Sequence, residues 1–324
     1  MNIDQIKAAA RRLDGHAVRT PLLNAPLLDE MAGRRVFVKP ECLQKTGSFK
    51  YRGARSAISA LDEKTRRQGV LAFSSGNHAQ GIACAAHELG AASVIIMPED
   101  APALKIANTR AYGAEVVLYD RAKEDREAIG AEMAKARGLS LIKPFDNEEV
   151  IAGQGTCGLE IAQQATEVGI EKADVLVCCG GGGLSAGISL ALEAEAPHLR
   201  ARTVEPEGFD DVARSLSSGA KQTNAKMTGS VCDAILTPSP GELTLPILQR
   251  HCGPGIVVSD EEAMRAMAAA FLRLKLIVEP GGAVALAAAL FHANGDQDVI
   301  AVASGGNVDT ALFQSALLRF GESD

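Results

Sequence analysis

One lysine and one run of glycines are the residues of this chain whose types most directly predict chemistry. Lys50 lies in the segment SFKYRGA (residues 48–54), and a lysine amine is a nucleophile that forms a Schiff base with an aldehyde. Far along the chain, four consecutive glycines at 180–183 follow an apolar, strand-like run. Backbone N–H groups in such a turn can bind a phosphate. An amine for an aldehyde and a cradle for a phosphate are together what the binding of pyridoxal phosphate requires.

Two short polar segments accompany these residues. Residues 74–78 read Ser-Ser-Gly-Asn-His and follow a strand pattern. Serine and asparagine are good helix N-caps, so capping is one interpretation, and binding of a carboxylate by the same helix N-terminus is the other. His78 is either a hydrogen-bonded helix residue or a catalytic group. Residues 304–307 (SGGN) are predicted to open the last helix, where Ser304 either caps it or hydrogen-bonds a ligand.

The glycine run has a second interpretation, as part of a dinucleotide-binding fingerprint. Gly180, Gly182 and Ser185 half match the G-x-G-x-x-G spacing. Glu205 ends the next strand, where an acidic residue could bind a ribose. The last glycine of the fingerprint is replaced, however, and four consecutive glycines suit a compact monophosphate site better. A turn without a ligand is disfavoured, because a glycine run of this length costs conformational entropy.

A lysine that forms a Schiff base must be available as a neutral amine. A lysine at such a position is more often a solvated surface residue than a nucleophile. Burial or a nearby cation lowers the pKa of a lysine amine, and Arg52 is a candidate for that cation.

Four carboxylates crowd the segment EPEGFDD (residues 205–211). Such a cluster repels itself unless water solvates it or a cation binds it, and hard cations prefer oxygen ligands. A solvated loop and a cation site are both open at this point.

Alternating strand and helix patterns connect these segments. Apolar, β-branched runs predict strands at 35–38, 70–73, 93–97, 115–118, 175–179, 202–204 and 299–303. Helical patterns lie at 77–89, 104–111, 125–136, 185–195, 260–274 and 282–293. The alternation predicts an α/β protein whose parallel sheets carry helices on both faces. Such sheets bind ligands beyond the carboxyl ends of their strands, which is where the glycine-rich turns fall.

Composition argues against several classes of partner. The 324 residues suffice for two domains, and the 47% hydrophobic content supplies a core. A net charge of -7 without a basic face argues against nucleic acid. No apolar run is long enough to span a membrane, and the N-terminal residues do not resemble a signal peptide. The seven cysteines lack C-x-x-C pairing, which predicts a reduced, cytoplasmic protein.

Taken together, the motifs resemble the fold-type II pyridoxal phosphate enzymes, specifically the threonine/serine dehydratase and serine racemase group. The resemblance covers nearly the whole chain and includes TPL (20–22), KPFD (143–146), GQGT (153–156) and EPGGA (279–283). It implies two doubly wound sheet domains of the tryptophan synthase β-like architecture. Residues 1–52 and 147–324 would form the large cofactor-binding domain, and residues 53–146 the small substrate-gripping domain. Family members are commonly homodimers, and we expect the same here.

The resemblance implies contacts with the cofactor at individual positions, namely Phe49, Lys50, Asn77, Gly180, Gly181, Gly182, Gly183, Leu184 and Ser304. Lys50 would form the Schiff base, with Phe49 beside the cofactor ring. Asn77 would hydrogen-bond the phenolic oxygen, and the glycines with Leu184 would bind the phosphate. Ser304 would face the pyridine nitrogen. A neutral serine does not enforce a protonated ring, which weakens the electron sink and favours elimination over transamination.

The resemblance also implies residues that contact the substrate. Ser75 matches an acid/base on the face opposite Lys50. Ser74, His78 and Arg126 match positions that hold substrate carboxylates. Ser239 belongs to the segment 237–241, which would help line the pocket for the substrate's side chain.

A divalent cation, Mg, Mn or Ca, is implied as well. Glu205, Asp211 and the carbonyl group of Phe209 match the cation site of the racemase-like members. This match favours the cation interpretation of the acidic segment over the solvated one.

The implied activity is dehydration of a β-hydroxy-α-amino acid such as serine or threonine to a 2-oxo acid and ammonia. Amino acid racemisation is the alternative, because Ser75 offers a proton donor on the second face. A dehydratase specific for 3-hydroxyaspartate or an aryl-serine is a further alternative. A protein of the same fold that binds a nicotinamide cofactor, or that has no catalytic activity, is another hypothesis. The chain departs from the family pattern at Asp233-Ala234 and at residues 237–241, and these differences bear on the choice of substrate. It also has Lys143 where a histidine is common, and this difference has no physical explanation.

Overall fold

The computed structural model describes residues 1–101, 103–292 and 295–321. Its α-helices are α1 Ile3–Leu13, α2 Pro26–Ala32, α3 Lys50–Ala60, α4 Glu63–Gln68, α5 Asn77–Glu88, α6 Ala103–Ala111, α7 Arg126–Arg137, α8 Glu148–Glu167, α9 Gly183–Glu195, α10 Asp211–Ser218, α11 Thr244–His251, α12 Asp260–Ala269, α13 Pro280–Phe291 and α14 Thr310–Phe320. Its β-strands are β1 Leu23–Asn24, β2 Val36–Lys39, β3 Val70–Phe73, β4 Ser93–Pro98, β5 Glu115–Tyr119, β6 Ser140–Leu141, β7 Ala173–Cys178, β8 Leu199–Pro206, β9 Ile256–Val258 and β10 Asp298–Val302.

Six strands form the first sheet, in the order β1-β2-β10-β7-β8-β9. All neighbours are parallel except the antiparallel pair of β1 and β2 at one edge. The central strands β7 and β10 are almost wholly apolar and buried. This is expected of parallel strands that helices cover on both faces. The alanine-rich helix α13 packs directly on β7 and β10.

Four strands form the second sheet, in the order β5-β4-β3-β6, and all are parallel. Successive side chains of a strand point to opposite faces. Val70 and Ala72 of β3 therefore join the apolar cluster under α5, whereas Leu71 and Phe73 join the cluster under α7. Both faces of this sheet are covered, as the sequence pattern predicts.

Helix α3 is packed very closely against α8. A Cβ atom on Gly153 of α8 would lie within less than 3.0 Å of the carbonyl oxygen of Arg52 and of the side chain of Ser56. Only glycine permits this approach of the two backbones. The contact fixes the first turn of α3, which begins at Lys50.

The α/β fold class with two parallel-sheet units is confirmed, and the predicted strands and helices lie within three residues of the observed ones at most of their ends. The prediction did not include the short strands β1, β6 and β9. Helix α12 ends at Ala269 and continues as a π-helical turn, Ala270–Leu274. The predicted helix 282–293 corresponds to α13, and its last position lies outside the described residues. The domain boundaries at 52/53 and 146/147 stay a prediction.

Across the described residues, no helix combines the length and the apolarity that a membrane span requires.

Candidate active site

A cavity of about 830 Å³ opens at the carboxyl ends of strands from both sheets. Sites for small ligands typically measure roughly 300–1,000 Å³. Of the predicted site residues, the following line it: Phe49, Lys50, Ser74, Ser75, Asn77, His78, Arg126, Gly180, Gly181, Gly182, Gly183, Leu184 and Ser304. Four predicted residues do not: Ser239, Glu205, Phe209 and Asp211. The fold therefore brings together segments that lie far apart in the sequence.

Lys50 is half-buried, and its amine is directed into the cavity. Its Nζ donates a hydrogen bond to the carbonyl oxygen of Pro144 at 3.0 Å and lies 5.0 Å from the centre of the Phe49 ring. Burial lowers the pKa of this amine from 10.5 to about 8, because protein atoms around it disfavour the ammonium form. Negative charge on Cys178 or Glu279 would act in the opposite direction. A substantial fraction of Lys50 is therefore neutral near physiological pH.

The prediction that Arg52 lowers the pKa of Lys50 is wrong. The guanidinium of Arg52 is 1% exposed and donates to Glu41 at 2.7 Å and to Glu160 at 2.7 Å. These two carboxylates offset its charge, and it is burial that lowers the pKa of Lys50. Its role is to anchor α3 to the chain beneath it.

The tetraglycine turn joins β7 to α9, with Gly182 as the N-cap residue at φ +90°. No carbonyl or side-chain oxygen among the described residues accepts a hydrogen bond from the N–H groups of Gly180, Gly181 or Gly182. A Cβ atom on Gly181 would lie within less than 3.0 Å of the Phe145 ring. Unsatisfied N–H groups and a helix N-terminus together form an anion cradle.

Glu205 is not available to bind a ribose. Its two carboxylate oxygens accept hydrogen bonds from the backbone N–H groups of Val212 at 2.9 Å and Ala213 at 2.6 Å. Its side chain is fully buried. The dinucleotide interpretation of the glycine run loses its acidic partner.

Asn77 is held by two partners from distant segments. Its Nδ2 donates to Glu279 Oε1 at 2.5 Å, and its Oδ1 accepts from Asn307 Nδ2 at 2.7 Å. Asn307 also donates to the carbonyl oxygen of Thr46 at 2.8 Å. These contacts orient the Asn77 amide so that one N–H of Nδ2 remains for a ligand.

The capping interpretation of residues 74–78 is wrong. Gly76 is the N-cap of α5, and no side chain caps this helix. The Ser74 hydroxyl accepts a hydrogen bond from the N–H of Gly76 instead. The side chains of this segment therefore do not accept hydrogen bonds from the N–H groups of the first turn of α5.

Glu279 is a site residue that sequence reasoning missed. It is 3% exposed and lines the cavity. Burial raises the pKa of its carboxyl to about 7, and the hydrogen bond from Asn77 acts in the opposite direction. A single acidic residue in the otherwise apolar run LIVEPGGA is the signal that could have identified it.

His78 is 3% exposed, and its Nε2 donates to the carbonyl oxygen of Ile142 at 3.0 Å. Burial, followed by the positive charge of Lys50, lowers the pKa of this imidazole to about 3. His78 is therefore neutral, and it offers a ligand its Nδ1 rather than a positive charge.

The segment after β10 brings Phe49 and Lys50 to the first sheet. The N–H of Phe49 donates to the carbonyl oxygen of Ser304 at 3.0 Å, and Ser48 forms an isolated bridge with Gly305. The prediction that residues 304–307 open the last helix is wrong, because α14 begins at Thr310 and is capped by Asp309. The loop is instead free to line the cavity with Ser304.

The cavity is also lined by two cationic side chains that sequence reasoning did not assign to the site. Lys105 of α6 forms a 3.4 Å ion pair with Asp233. Lys143 follows β6 and makes no ion pair or hydrogen bond with any described residue.

The acidic segment folds away from the cavity. Across the described residues, no group of three or more His, Cys, Asp or Glu side chains is placed to hold a metal ion. Asp211 accepts a hydrogen bond from Asn224 at 2.5 Å through one carboxylate oxygen, while its buried Oδ2 has no partner. Burial raises the pKa of Asp211 to about 6 and that of Glu205 well above its usual value. The buried, unpartnered Oδ2 of Asp211 therefore has room to accept a hydrogen bond or to bind a cation.

The residues around the cavity fit pyridoxal phosphate. Lys50 supplies an amine with a lowered pKa, and the tetraglycine turn supplies N–H groups that lack an acceptor. The amide of Gln154 is buried beside the turn, and neither its oxygen nor its nitrogen has a hydrogen-bond partner among the described residues. The N–H groups of the turn and the NH₂ group of Gln154 would gain an acceptor from a phosphate, and the Lys50 amine would react with an aldehyde.

Comparison with known proteins agrees with this fit. Residues 13–305 match the family model described as pyridoxal-phosphate dependent enzyme. The chain is 43% identical to an L-threo-3-hydroxyaspartate ammonia-lyase of Pseudomonas sp, over 97% of both chains. It is 39% identical to a serine racemase of Schizosaccharomyces pombe, over 94% of both chains. The structure of maize serine racemase superposes with a TM-score of 0.91 at 35% identity, covering 98% of this chain and 97% of that one.

Proposed function

Because this chain belongs to the pyridoxal-phosphate dependent enzyme family, we propose that it is an ammonia-lyase that dehydrates β-hydroxy-α-amino acids. The observation that carries the proposal is the pairing of Lys50, whose amine is directed into the cavity, with the phosphate cradle at the tetraglycine turn. The similarity extends over more than nine-tenths of the chain. The relatives that share it include both an ammonia-lyase and a serine racemase.

When bound, pyridoxal phosphate supplies an aldehyde for the Lys50 amine and an electron sink for the substrate's Cα. Lys50 would hold the cofactor through its amine and, once released from it, would remove the proton from the substrate's Cα as a neutral base. Its lowered pKa makes that neutral form accessible. The backbone N–H groups of Gly180, Gly181 and Gly182 would hold the phosphate in position.

Three side chains would orient the cofactor ring. We assign Phe49 to one face of the ring and Asn77 to its phenolic oxygen, with the Asn77 amide oriented by Glu279. Ser304 would be a neutral partner for the pyridine nitrogen, which would favour loss of a β-hydroxyl over transamination.

The substrate's α-carboxylate is assigned to the N-terminus of α5. Ser74, Ser75 and the backbone N–H groups that follow them line the cavity there, where the helix dipole favours an anion. Neutral His78 does not donate to this carboxylate, because its N–H is directed to the Ile142 carbonyl and its other ring nitrogen can only accept a hydrogen bond.

A panel of L-serine, L-threonine, L-threo-3-hydroxyaspartate and an aryl-serine tests the lyase proposal. Release of ammonia together with a 2-oxo acid from at least one of them is expected. No release from any of the four would reject it.

Racemisation is the second candidate, and the specific observation in its favour is the Ser75 side chain in the cavity. A hydroxyl on the face opposite Lys50 could return a proton to Cα. Chiral analysis of recovered serine, with deuterium uptake at Cα in heavy water, separates the two activities. The variant Ser75→Ala should lose racemisation while it keeps elimination.

We further propose a divalent cation, Mg, Mn or Ca, held by Glu205, Asp211 and the carbonyl of Phe209. The buried acidic pair and the unpartnered oxygen of Asp211 support this assignment. A chelator should lower the melting temperature, and added magnesium should restore it, which a thermal shift assay measures. A melting temperature that is identical with and without chelator would count against the site.

A homodimer and a cytoplasmic location complete the proposal. All seven cysteines are free thiols, as expected of a reducing compartment. Sedimentation analysis tests the dimer, and cell fractionation tests the location.

A further inference from the structure

The motif GQGT (residues 153–156) has no role in the proposed function, although its glutamine lies at the cavity. Gln154 is 1% exposed. Neither the oxygen nor the nitrogen of its amide has a hydrogen-bond partner among the described residues. A buried polar group without a partner destabilises the fold, so the stability of the chain does not explain this amide.

Two glycines flank Gln154 and bring helix α8 into close contact with both α3 and α9. A Cβ atom on Gly153 would lie 2.5 Å from the carbonyl oxygen of Arg52 in α3. A Cβ atom on Gly155 would lie 2.9 Å from the carbonyl oxygen of Gly187 in α9. Helix α8 therefore contacts both helices within one turn, and Gln154 lies between the two contacts.

The amide of Gln154 borders the same two helices. A Cβ atom on Gly183, the first residue of α9, would lie 2.7 Å from its Oε1, and one on Gly53 of α3 would lie 3.0 Å from its Nε2. The last torsion of a glutamine side chain is soft and roughly two-fold, so the NH₂ group can face either helix. An acceptor at the N-terminus of α9 would select the orientation in which the NH₂ group faces the tetraglycine turn.

The other side chains that border the turn do not direct an N–H or O–H group at its open side. The hydroxyl of Thr244 donates to the carbonyl oxygen of Gly181 at 2.6 Å. The ring of Phe145 is apolar, and Thr237 places its methyl group next to Gly180. Among the described side chains in contact with the turn, the glutamine amide is therefore the one whose N–H groups are free beside it.

We propose that Gln154 donates a hydrogen bond from its amide to the phosphate of the cofactor and so completes the cradle that the backbone of the turn forms. The inference rests on the proposed function for the identity of the cofactor. Because the same side chain borders α3, the contact would join the phosphate to the helix that begins at Lys50. Gln154 would thus favour an aldehyde that carries a phosphate over one that does not.

The first test measures the dissociation constant of the apoenzyme for pyridoxal phosphate by fluorescence titration. Gln154→Met keeps the length of the side chain and removes its amide. It should raise this constant about ten- to a hundredfold, as expected for loss of a hydrogen bond to a charged group. Binding of pyridoxal, which lacks the phosphate, should not change. Gln163→Met, at an exposed glutamine of the same helix, is the matched control and should bind both compounds as the native chain does.

The second test separates this role from a merely structural one. Removing a buried amide that has no partner also removes its desolvation cost, so the melting temperature of the apoenzyme should not fall in Gln154→Met. The rise in melting temperature that pyridoxal phosphate produces should be smaller than in the native chain. If Gln154→Met does not fold, Gln154→Glu serves in both tests, because it keeps the shape of the side chain, replaces the NH₂ group by an oxygen and should lose the same preference for the phosphate.

The results separate the phosphate contact from the lyase function. Native affinity for pyridoxal phosphate in Gln154→Met, or an equal loss for pyridoxal, would overturn the inference. If pyridoxal phosphate binding depends on Gln154 but no hydroxyamino acid is turned over, the contact stands and the proposed lyase function fails. If hydroxyamino acids are dehydrated but Gln154→Met binds the cofactor as the native chain does, the function stands and the contact fails.

Discussion

Replacing Gly181 by alanine should weaken binding of the cofactor's phosphate and little else. The added Cβ atom would lie within less than 3.0 Å of three carbon atoms of the Phe145 ring, a separation that real Cβ atoms essentially never show. Phe145 is half-buried and follows Pro144, whose carbonyl accepts the hydrogen bond of Lys50. The turn and the ring must therefore move apart, and the N–H groups of the cradle move with the turn.

Overpacking of this kind costs about 1–3 kcal/mol. If the whole cost falls on the cradle, the dissociation constant for pyridoxal phosphate rises about 5- to 150-fold. Fluorescence titration of the apoenzyme measures it. Pyridoxal, which has the aldehyde but no phosphate, is the comparator and should bind the variant and the native chain equally well.

A double substitution separates the clash from a general loss of structure. Phe145→Ala creates room for the new methyl group. The double variant Gly181→Ala/Phe145→Ala should therefore lose less binding free energy for pyridoxal phosphate than the sum of the losses in the two single variants. Native affinity in Gly181→Ala would refute the reasoning, and so would an equal loss for pyridoxal and pyridoxal phosphate.

Three more predictions follow from the charged groups. Because the pKa of Lys50 is near 8, the apoenzyme should bind pyridoxal phosphate faster as the pH rises, and the rate should level off above about pH 8. Stopped-flow absorbance measures this rate, and a rise that continues to pH 10.5 would contradict the lowered pKa. Glu279→Gln keeps an acceptor for Asn77 but cannot ionise, so a spectral transition of the holoenzyme near pH 7 should disappear in this variant and remain in the native enzyme. Arg52→Met leaves buried carboxylates unpaired and should lower the free energy of unfolding by about 3–5 kcal/mol in urea, whereas Arg67→Met, at an exposed ion pair, should change it by less than about 1 kcal/mol.

The parts of the site that could be predicted from sequence are those written in contiguous residues. The glycine run, the segment 74–78 and the lysine in its motif each combine a residue type with a strand or helix boundary, and the periodic pattern locates those boundaries. Parallel topology then requires that the carboxyl ends of the strands meet. The positions of Lys50 and the tetraglycine turn in one cavity follow from this.

Side-chain partners from distant segments could not be predicted in this way. Glu279 lies 202 positions from Asn77, and neither local pattern nor composition indicates that they form a hydrogen bond. The sequence therefore suggested a helix cap at Asn77, whereas its amide forms hydrogen bonds with Glu279 and Asn307. Arg52 read as a neighbouring charge for Lys50, because its sequence position does not disclose that Glu41 and Glu160 enclose it.

The most direct test of a Schiff base at Lys50 is reduction of the purified holoenzyme with borohydride, followed by digestion and mass spectrometry. Reduction makes an imine between a lysine and pyridoxal phosphate permanent. The added mass is expected on the peptide that contains Lys50, and it should be lost in Lys50→Ala. Labelling of a different lysine, or of none in an enzyme that retains full activity, would contradict the assignment.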